Sequence, residues 1–216
     1  MKYETVVFDF DGTIGETRLI ALGAMNALAD EFGFKLVSED ELTHLAQFNA
    51  RTLLLRRLGI PYWNILKIRR LEKRGREEFA KRAAHIVPVV GMKEAIEALR
   101  AAGLTVGVLS SNAETIVKSA LQRGDITVDF VDAGSRFFRK AAAIRAMLRK
   151  KGFDRSSVLY IGDELRDVDA CKKIGLDMIA VGWGYNHASA LAQMGVAVAH
   201  SPQELVHMIL SDGSEA

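Results

Sequence analysis

Short apolar runs alternate with stretches of helical periodicity over most of the chain. The first run, residues 3–10, is rich in β-branched and aromatic side chains and leads into Asp-Gly-Thr, which is typical of a buried strand that ends in a polar loop. Further strands are predicted at 104–109, 158–161 and 178–181 and, from weaker patterns, at 127–131 and 196–199. Helical patterns separate them, at 92–102, 113–123, 139–151, 165–174, 187–194 and 202–210. Repeated strand–helix units predict an α/β fold, a Rossmann-like doubly wound parallel sheet covered on both faces.

Residues 17–86 break this rhythm, because they show helical periodicity and no convincing strand. Helices are predicted near 17–33, 39–46, 50–58 and 63–84. Glycine and proline are densest near Gly15 and at 88–91, where we place the boundaries. The predicted organisation is a core of residues 1–15 and 87–216 with an inserted all-helical cap domain at 16–86.

The composition favours an ordinary globular protein, since 49% of the 216 residues are hydrophobic and 26% are charged. One cysteine and three prolines leave no room for a disulfide framework or a proline-rich linker. No stretch approaches the ~20 uncharged residues of a membrane span, and the start of the chain lacks the apolar core of a signal peptide. We therefore expect a cytoplasmic protein without a membrane partner.

The net charge of +2 hides a basic segment. Residues 51–86 contain eleven Lys and Arg against three Glu, a local charge of +8. The simplest interpretation is a solvated helical face, because Arg and Lys are good helix formers. Nucleic acid is not an expected partner, because the segment lacks the interleaved aromatic residues that stack bases. If some of these cations face a cleft, we expect Arg51, Arg56 and Arg57 to matter more than the run from Lys67 to Arg82.

Polar residues cluster where the predicted strands end, and ligands of open α/β sheets bind at the carboxyl ends of the strands. Alternation along the first strand would place Asp9 and Asp11 on one side, where a divalent cation would relieve their repulsion. Asp163 and Asp167 add hard oxygen ligands, and histidine or cysteine is not clustered with them, so magnesium is the predicted ion. The set expected at this rim is Asp9, Asp11, Gly12, Thr13, Ser110, Ser111, Asn112, Lys140, Asp163, Glu164 and Asp167.

Four ordered motifs in this set resemble the haloacid dehalogenase-like (HAD) hydrolases, and within them the phosphoglycolate-phosphatase-like branch with a helical cap after the first strand. The motifs are Asp9 to Thr13, Leu109 to Asn112, Lys140, and Gly162 to Asp167. The resemblance covers essentially the whole chain. The segment at Lys140 departs from the family pattern, because it lacks the proline that often follows the lysine and has Arg139 next to it.

The resemblance implies a role for each acidic residue. Asp9 would attack phosphorus and form an aspartyl-phosphate. Asp11 would protonate the leaving alcohol and later deprotonate the attacking water, while its backbone carbonyl binds the metal. Asp163 would ligate magnesium directly, and Asp167 would hold a metal-bound water or position Lys140.

The resemblance also implies a phosphate-binding set. Ser110 and the amides around Gly12 and Asn112 would hold the phosphoryl oxygens, with Thr13 and Ser111 beside them. The implied substrate is a small phosphorylated metabolite, and the second aspartate argues against dehalogenation, which needs no general acid. The alternatives are a phosphomutase on the same scaffold and a non-catalytic or nucleic-acid-binding protein that uses the basic segment.

Three further features have open interpretations. Glu164 lies either next to the metal ligands or simply at an acidic helix start. Cys171 is expected to be a buried small hydrophobe rather than a nucleophile. The loop Trp183-Gly184-Tyr185-Asn186 follows a strand at the same rim, where its aromatic rings contact the cap or substrate or merely pack.

Overall fold

The fold is built around one parallel sheet. The computed structural model describes residues 2–47, 59–61, 63–134 and 139–211. Six strands lie in the order β3-β2-β1-β4-β5-β6, so the chain winds outward from β1 in one direction and then in the other. They are β1 (Thr5–Asp9), β2 (Thr105–Leu109), β3 (Phe130–Asp132), β4 (Val158–Gly162), β5 (Asp177–Val181) and β6 (Ala197–Ala199). This confirms the predicted doubly wound α/β class.

Helices follow the strands as the periodicity predicts. The sheet is covered by Met92–Ala101, Glu114–Arg123, Lys140–Lys151, Leu165–Ile174, Ala188–Gln193 and Pro202–Ser211. Gly152 and Gly175 end two of them in the left-handed conformation that glycine adopts without steric cost. Within the described ranges, no helix combines the length and the apolar character that a bilayer span requires.

Alternation along β1 sends its side chains to opposite faces of the sheet. Val6 and Phe8 enter the larger core cluster, with Met92 among its members. Val7 enters a second cluster that includes Ile144 of the helix Lys140–Lys151. Asp9 follows Val7 on the same face, so its carboxylate points toward the start of that helix.

The inserted segment forms helices with a small core of their own. The helices are Arg18–Asn26, Ala29–Phe32, Glu39–Leu45 and Ile65–Arg82, followed by a short 3₁₀ turn at Ala83–His85. The helix predicted at 17–33 is interrupted, because the N–H of Leu28 bonds three residues back to the carbonyl of Met25. The helix predicted at 50–58 lies outside the described residues. Leu28, Ala29, Phe32, Phe34 and Ile60 form the buried core of this segment.

The two chain segments that join the cap to the sheet domain lie side by side. Gly15 and Pro88 form an antiparallel bridge. The N–H of Glu16 donates to Val87 (2.8 Å), and the N–H of Val89 donates to Ile14 (2.8 Å). These contacts lie where glycine and proline are densest in the sequence. The cap boundaries at residues 16 and 86 stay a prediction.

Several basic residues of the long cap helix form ion pairs. Arg70 and Arg74 both contact Glu31, and Arg82 contacts Glu78 (2.9 Å). The pairs with Glu31 fit the interpretation of a solvated helical face, where ion pairs contribute little, whereas Glu78 is buried. Arg51, Arg56 and Arg57 lie outside the described residues, so their predicted importance stays a prediction.

Candidate active site

Three buried carboxylates meet at the carboxyl end of the sheet. Asp9 ends β1, Asp163 follows β4, and Asp167 lies in the first turn of the helix Leu165–Ile174. One oxygen of each lies within 4.8 Å of the others. Burial, and next the charges of Glu164 and Asp167, raise the pKa of Asp163 well above its usual range. Such crowding of negative charge is what a bound cation would relieve.

Lys140 supplies the positive charge inside this cluster. Its Nζ lies 2.6 Å from Asp9 Oδ2 and 3.1 Å from Asp167 Oδ1. Burial lowers the pKa of Lys140, but the charges of Asp167 and Asp9 outweigh burial and raise it, so the ammonium keeps its proton. Arg139 is exposed. The structure therefore brings the predicted lysine to the carboxylates, despite the missing proline after it.

Asp163 is held rigidly from two sides. Thr13 Oγ1 donates to one carboxylate oxygen (2.9 Å), and the backbone N–H of Tyr185 donates to the other (2.6 Å). Gly12 and Gly184 pack so closely against this carboxylate that a Cβ on either would overlap it. Gly12 also has φ +72°, which favours glycine. Two glycines thus make room for Asp163, while Thr13 and Tyr185 fix its orientation.

Gly184→Ala is expected to displace the Asp163 carboxylate, because the added methyl overlaps a side chain that two hydrogen bonds hold in place. If Asp163 ligates magnesium, the apparent Mg²⁺ affinity should fall by about tenfold or more, the usual cost of disturbing the support of a ligand. Magnesium titrations of activity measure this. Gly23→Ala is the matched control, because its methyl would meet only ordinary contacts with Arg82. Equal Mg²⁺ affinity in both variants would contradict the assignment.

Asp11 lies beyond the end of β1, so strand alternation does not extend to it. Asn112 Nδ2 lies 2.8 Å from each oxygen of its carboxylate. Burial and, second, the charge of Asp9 raise the pKa of Asp11 to about 7, against a hydrogen bond from Thr17. Among the described residues, the group of carboxylates close enough to share an ion contains Asp9, Asp163 and Asp167 but not Asp11. A contribution of Asp11 to a metal site through its backbone stays a prediction.

Asn112 and Ser111 lie near Asp11, and the backbone amides of Gly12 and Asn112 already donate hydrogen bonds within the protein. The N–H of Gly12 donates to the carbonyl of Gly15 (2.9 Å). The N–H of Asn112 donates to Ser110 Oγ (3.1 Å), and Ser110 is fully buried. That Ser110 and the amides around Gly12 and Asn112 hold phosphoryl oxygens stays a prediction. Ser111 lines a cavity together with Asp11.

The loop Trp183–Asn186 contributes more than its sequence indicates. Trp183 Nε1 donates to the carbonyl of Thr13 (3.1 Å), and the Tyr185 hydroxyl shares a hydrogen bond with Thr17 (3.0 Å). Asn186 accepts from the N–H of Leu165 (2.9 Å) and donates to the carbonyl of Ala46 (2.6 Å) in the cap. A sequence signal for this loop was its position after a strand at the same rim. The loop joins the acidic cluster to the cap.

Glu164 and Arg166 form an ion pair beside the cluster. The backbone N–H of Glu164 also donates a hydrogen bond to the Asp167 carboxylate (3.2 Å), as part of a capping box at the start of the helix. The structure thus shows Glu164 at a helix start and next to the acidic residues at once. Cys171 is buried, and burial raises the pKa of its thiol. A thiol that stays protonated is consistent with a packing role.

Known proteins resemble this chain over most of its length. The family described as haloacid dehalogenase-like hydrolase matches residues 6–181. A phosphoglycolate phosphatase from Synechococcus elongatus is 31% identical over 190 residues, which cover 87% of this chain and 88% of that protein. The crystal structure of a predicted phosphatase from Clostridium acetobutylicum matches with a TM-score of 0.81 at 19% identity, over 98% of this chain and 100% of the other. CbbY from Rhodobacter sphaeroides, solved in complex with phosphate, matches with a TM-score of 0.68 at 20% identity, over 94% and 96% of the two chains.

The parallel sheet, the inserted helices and the carboxylates at the strand ends define a Rossmann-like α/β protein with an acidic site at one rim of the sheet. The chain belongs to the haloacid dehalogenase-like hydrolases, in their phosphoglycolate-phosphatase-like branch, and is an enzyme of the phosphatase type. The family and the enzyme class predicted from the motifs are confirmed.

Proposed function

We propose that the protein is a Mg²⁺-dependent cytoplasmic phosphatase that hydrolyses a small phosphomonoester through an aspartyl-phosphate on Asp9. The observation that carries this proposal is the contact between the buried Asp9 carboxylate and Lys140, with Asp163 and Asp167 beside it. A buried carboxylate between one fixed ammonium and further acidic residues has few structural uses. It is suited to a reaction in which a carboxylate attacks a negatively charged phosphoryl group and the charge that develops must be stabilised.

Asp9 is the nucleophile in this proposal. Its Oδ2 bonds to Lys140 and its Oδ1 accepts from the N–H of Phe10 (2.8 Å), so the carboxylate has one fixed orientation. Attack by a carboxylate oxygen forms the bond to phosphorus while the bond to the leaving alcohol breaks. The Lys140 ammonium, held by Asp167, offsets the negative charge that gathers at this point.

Asp11 is the proton donor and acceptor. Asn112 holds its carboxylate, and the raised pKa of Asp11, about 7, favours a carboxyl that can both give and take a proton near neutrality. Asp11 would give its proton to the leaving alcohol oxygen. The resulting carboxylate would then take a proton from the water that hydrolyses the phosphoenzyme.

Asp9, Asp163 and Asp167 fit a divalent cation. They offer only hard carboxylate oxygens, and their mutual repulsion is relieved by a positive ion. Magnesium bound there would supply positive charge toward the phosphoryl oxygens. Thr13 and Tyr185 would keep Asp163 in the orientation that binding needs.

The test is to measure phosphate release from p-nitrophenyl phosphate and phosphoglycolate before and after chelation, and then during Mg²⁺ titration. Activity should stop with chelator and return with magnesium. Asp163→Ala should weaken the Mg²⁺ dependence more than Asp167→Ala, since a direct ligand contributes more than one acting through water or Lys140. Full activity in chelator would refute the proposal. Isomerisation of a sugar phosphate without phosphate release would instead establish the phosphomutase.

Asp11→Asn should slow esters with poor leaving groups most. A nitrophenolate leaves without a proton, whereas an alkoxide needs one, so the variant should lose about 10²-fold or more in kcat with an alkyl phosphate and much less with p-nitrophenyl phosphate. Comparing kcat for the two substrates in the parent and the variant measures the difference. Equal slowing of both would show that Asp11 does not act as the acid.

A further inference from the structure

A cavity of about 330 Å³ opens directly from Asp11 into the helical cap. Its core wall contains Asp11, Ser111, Asn112, Glu164 and Arg166, and the remaining described walls come from the cap and the Tyr185 loop. Asp11 is the proposed proton donor to the leaving alcohol. The space next to its carboxylate is therefore where the alcohol portion of the substrate must lie, a step that rests on the proposed function.

Most of the cap residues that line this cavity, among those the structure describes, are apolar. Helix Arg18–Asn26 contributes Ala21 and Met25, the helix Glu39–Leu45 contributes Leu42 and Leu45, and the long helix Ile65–Arg82 contributes Ile68, Leu71 and Phe79. These positions recur at helical spacing, so whole helix faces rather than single side chains point inward. Apolar walls of this extent favour an apolar ligand.

Acidic and basic side chains are present in equal number among the described residues that line the cavity. Its described lining contains three acidic residues, Asp11, Glu72 and Glu164, and three basic ones, Arg18, Arg76 and Arg166. Arg166 contacts Glu164 directly, so its charge is opposed at close range. Because Asp11 carries a proton when it acts as the donor, the described lining then has one basic side chain in excess. A second anionic group on the substrate, such as a carboxylate, would therefore meet little positive charge in the described lining.

We propose that the substrate is a monophosphate ester of an uncharged, largely apolar alcohol considerably larger than glycolate, with the alcohol portion seated against the cap. The cavity is in the lower range of sites that hold drug-sized ligands, roughly 300–1,000 Å³. Glycolate would leave most of it empty. An alcohol with a hydrocarbon or aromatic body would remove both its own apolar surface and that of the helices from water.

Gly75 gives the cavity part of its width. It lies within the long cap helix, lines the cavity, and a Cβ placed on it would meet no atom within 4 Å. A glycine inside a helix costs about 1 kcal/mol relative to alanine. A larger residue there would enter the open space and would also favour the helix.

The first test measures kcat/KM for ethyl, butyl and hexyl phosphate and for phosphoglycolate. The alkyl alcohols have nearly equal acidity, so chemistry is constant along the series and only binding of the chain changes. Burial of each CH₂ can raise kcat/KM by up to about fourfold, and we expect hexyl phosphate to exceed ethyl phosphate by about tenfold or more. Phosphoglycolate should not exceed ethyl phosphate. A flat or falling alkyl series, or a preference for phosphoglycolate of about tenfold or more, would overturn the inference.

The second test fills the cavity with Gly75→Leu. The hexyl-to-ethyl ratio of kcat/KM should fall by about tenfold, because the new side chain takes the room of the longer chain. Ala80→Leu on an exposed position of the same helix is the matched control and should keep the parent ratio. An unchanged ratio in Gly75→Leu would show that the alcohol lies elsewhere.

If no ester, including p-nitrophenyl phosphate, releases phosphate in the parent, the proposed function itself fails. Activity with the wrong chain-length profile removes only this inference.

Discussion

Asp9→Asn is expected to abolish turnover and phosphoenzyme formation. An amide is a poor nucleophile, and the change also removes one negative charge from the three carboxylates that would hold magnesium. Loss of a nucleophile of this kind typically costs a factor of about 10⁴ to 10⁶ in kcat. The fold should survive, because Lys140 keeps its contact with Asp167 (3.1 Å) and asparagine has nearly the same shape. Rapid quenching in acid, followed by detection of the hydroxylamine-sensitive phosphoenzyme, measures formation of the aspartyl-phosphate directly.

The matched control for this variant is Asp177→Asn. Asp177 is also a strand aspartate, but it begins β5 at the opposite end of the sheet, where Lys2 contacts it at the surface. The control should keep activity within about twofold of the parent, as expected of an exposed ion pair. Activity of Asp9→Asn within about tenfold of the parent, with deamidation excluded by mass spectrometry, would contradict the role of Asp9.

The sequence was informative about the strand ends because their patterns are local. Four buried residues, three of them apolar, precede Asp9 in β1, and strand alternation then sets the face on which Asp9 lies. Lys140 could be placed at a helix start for the same reason. The contact of Lys140 with Asp9 depends on how its helix packs against the face of the sheet that carries Val7. Asp11 shows the limit of the pattern, because the strand ends two residues before it.

The support of Asp163 could not be predicted from local patterns. Gly184 and the N–H of Tyr185 reach Asp163 from a different strand–helix loop, and their contribution depends on the distance between two loops at the rim. The cap shows the same limit. Periodicity predicts the long helix, but only its packing against Arg18–Asn26 shows that Gly75 and Arg76 face the cavity while Arg70 and Arg74 meet Glu31. The sequence therefore predicted which residues lie at the strand ends better than it predicted the residues that surround them.

Lys140→Met is expected to impair both catalysis and stability, and the two effects have separable causes. Removal of one fixed positive donor at a developing charge typically costs about 10² to 10³ in kcat. Asp9 and Asp167 would also lose their shared counter-charge while staying buried. Breaking a buried ion pair by removing one partner costs about 3–5 kcal/mol of unfolding free energy. Lys150→Met, at an exposed position on the same helix, is the control and should have little effect on either quantity.

Magnesium separates the two effects of Lys140→Met. A cation bound by Asp9, Asp163 and Asp167 replaces the missing charge, so added Mg²⁺ should stabilise the variant more than the parent against urea. It should not restore kcat, because the ammonium that faces the transferring group is still absent. Asp9→Asn combined with Lys140→Met should recover part of the stability lost in Lys140→Met without magnesium, since one unpaired buried carboxylate has been removed. If the double variant is as unstable as the sum of the two single variants, the contact between Asp9 and Lys140 does not couple them in the folded protein, and Lys140 must act through Asp167 alone.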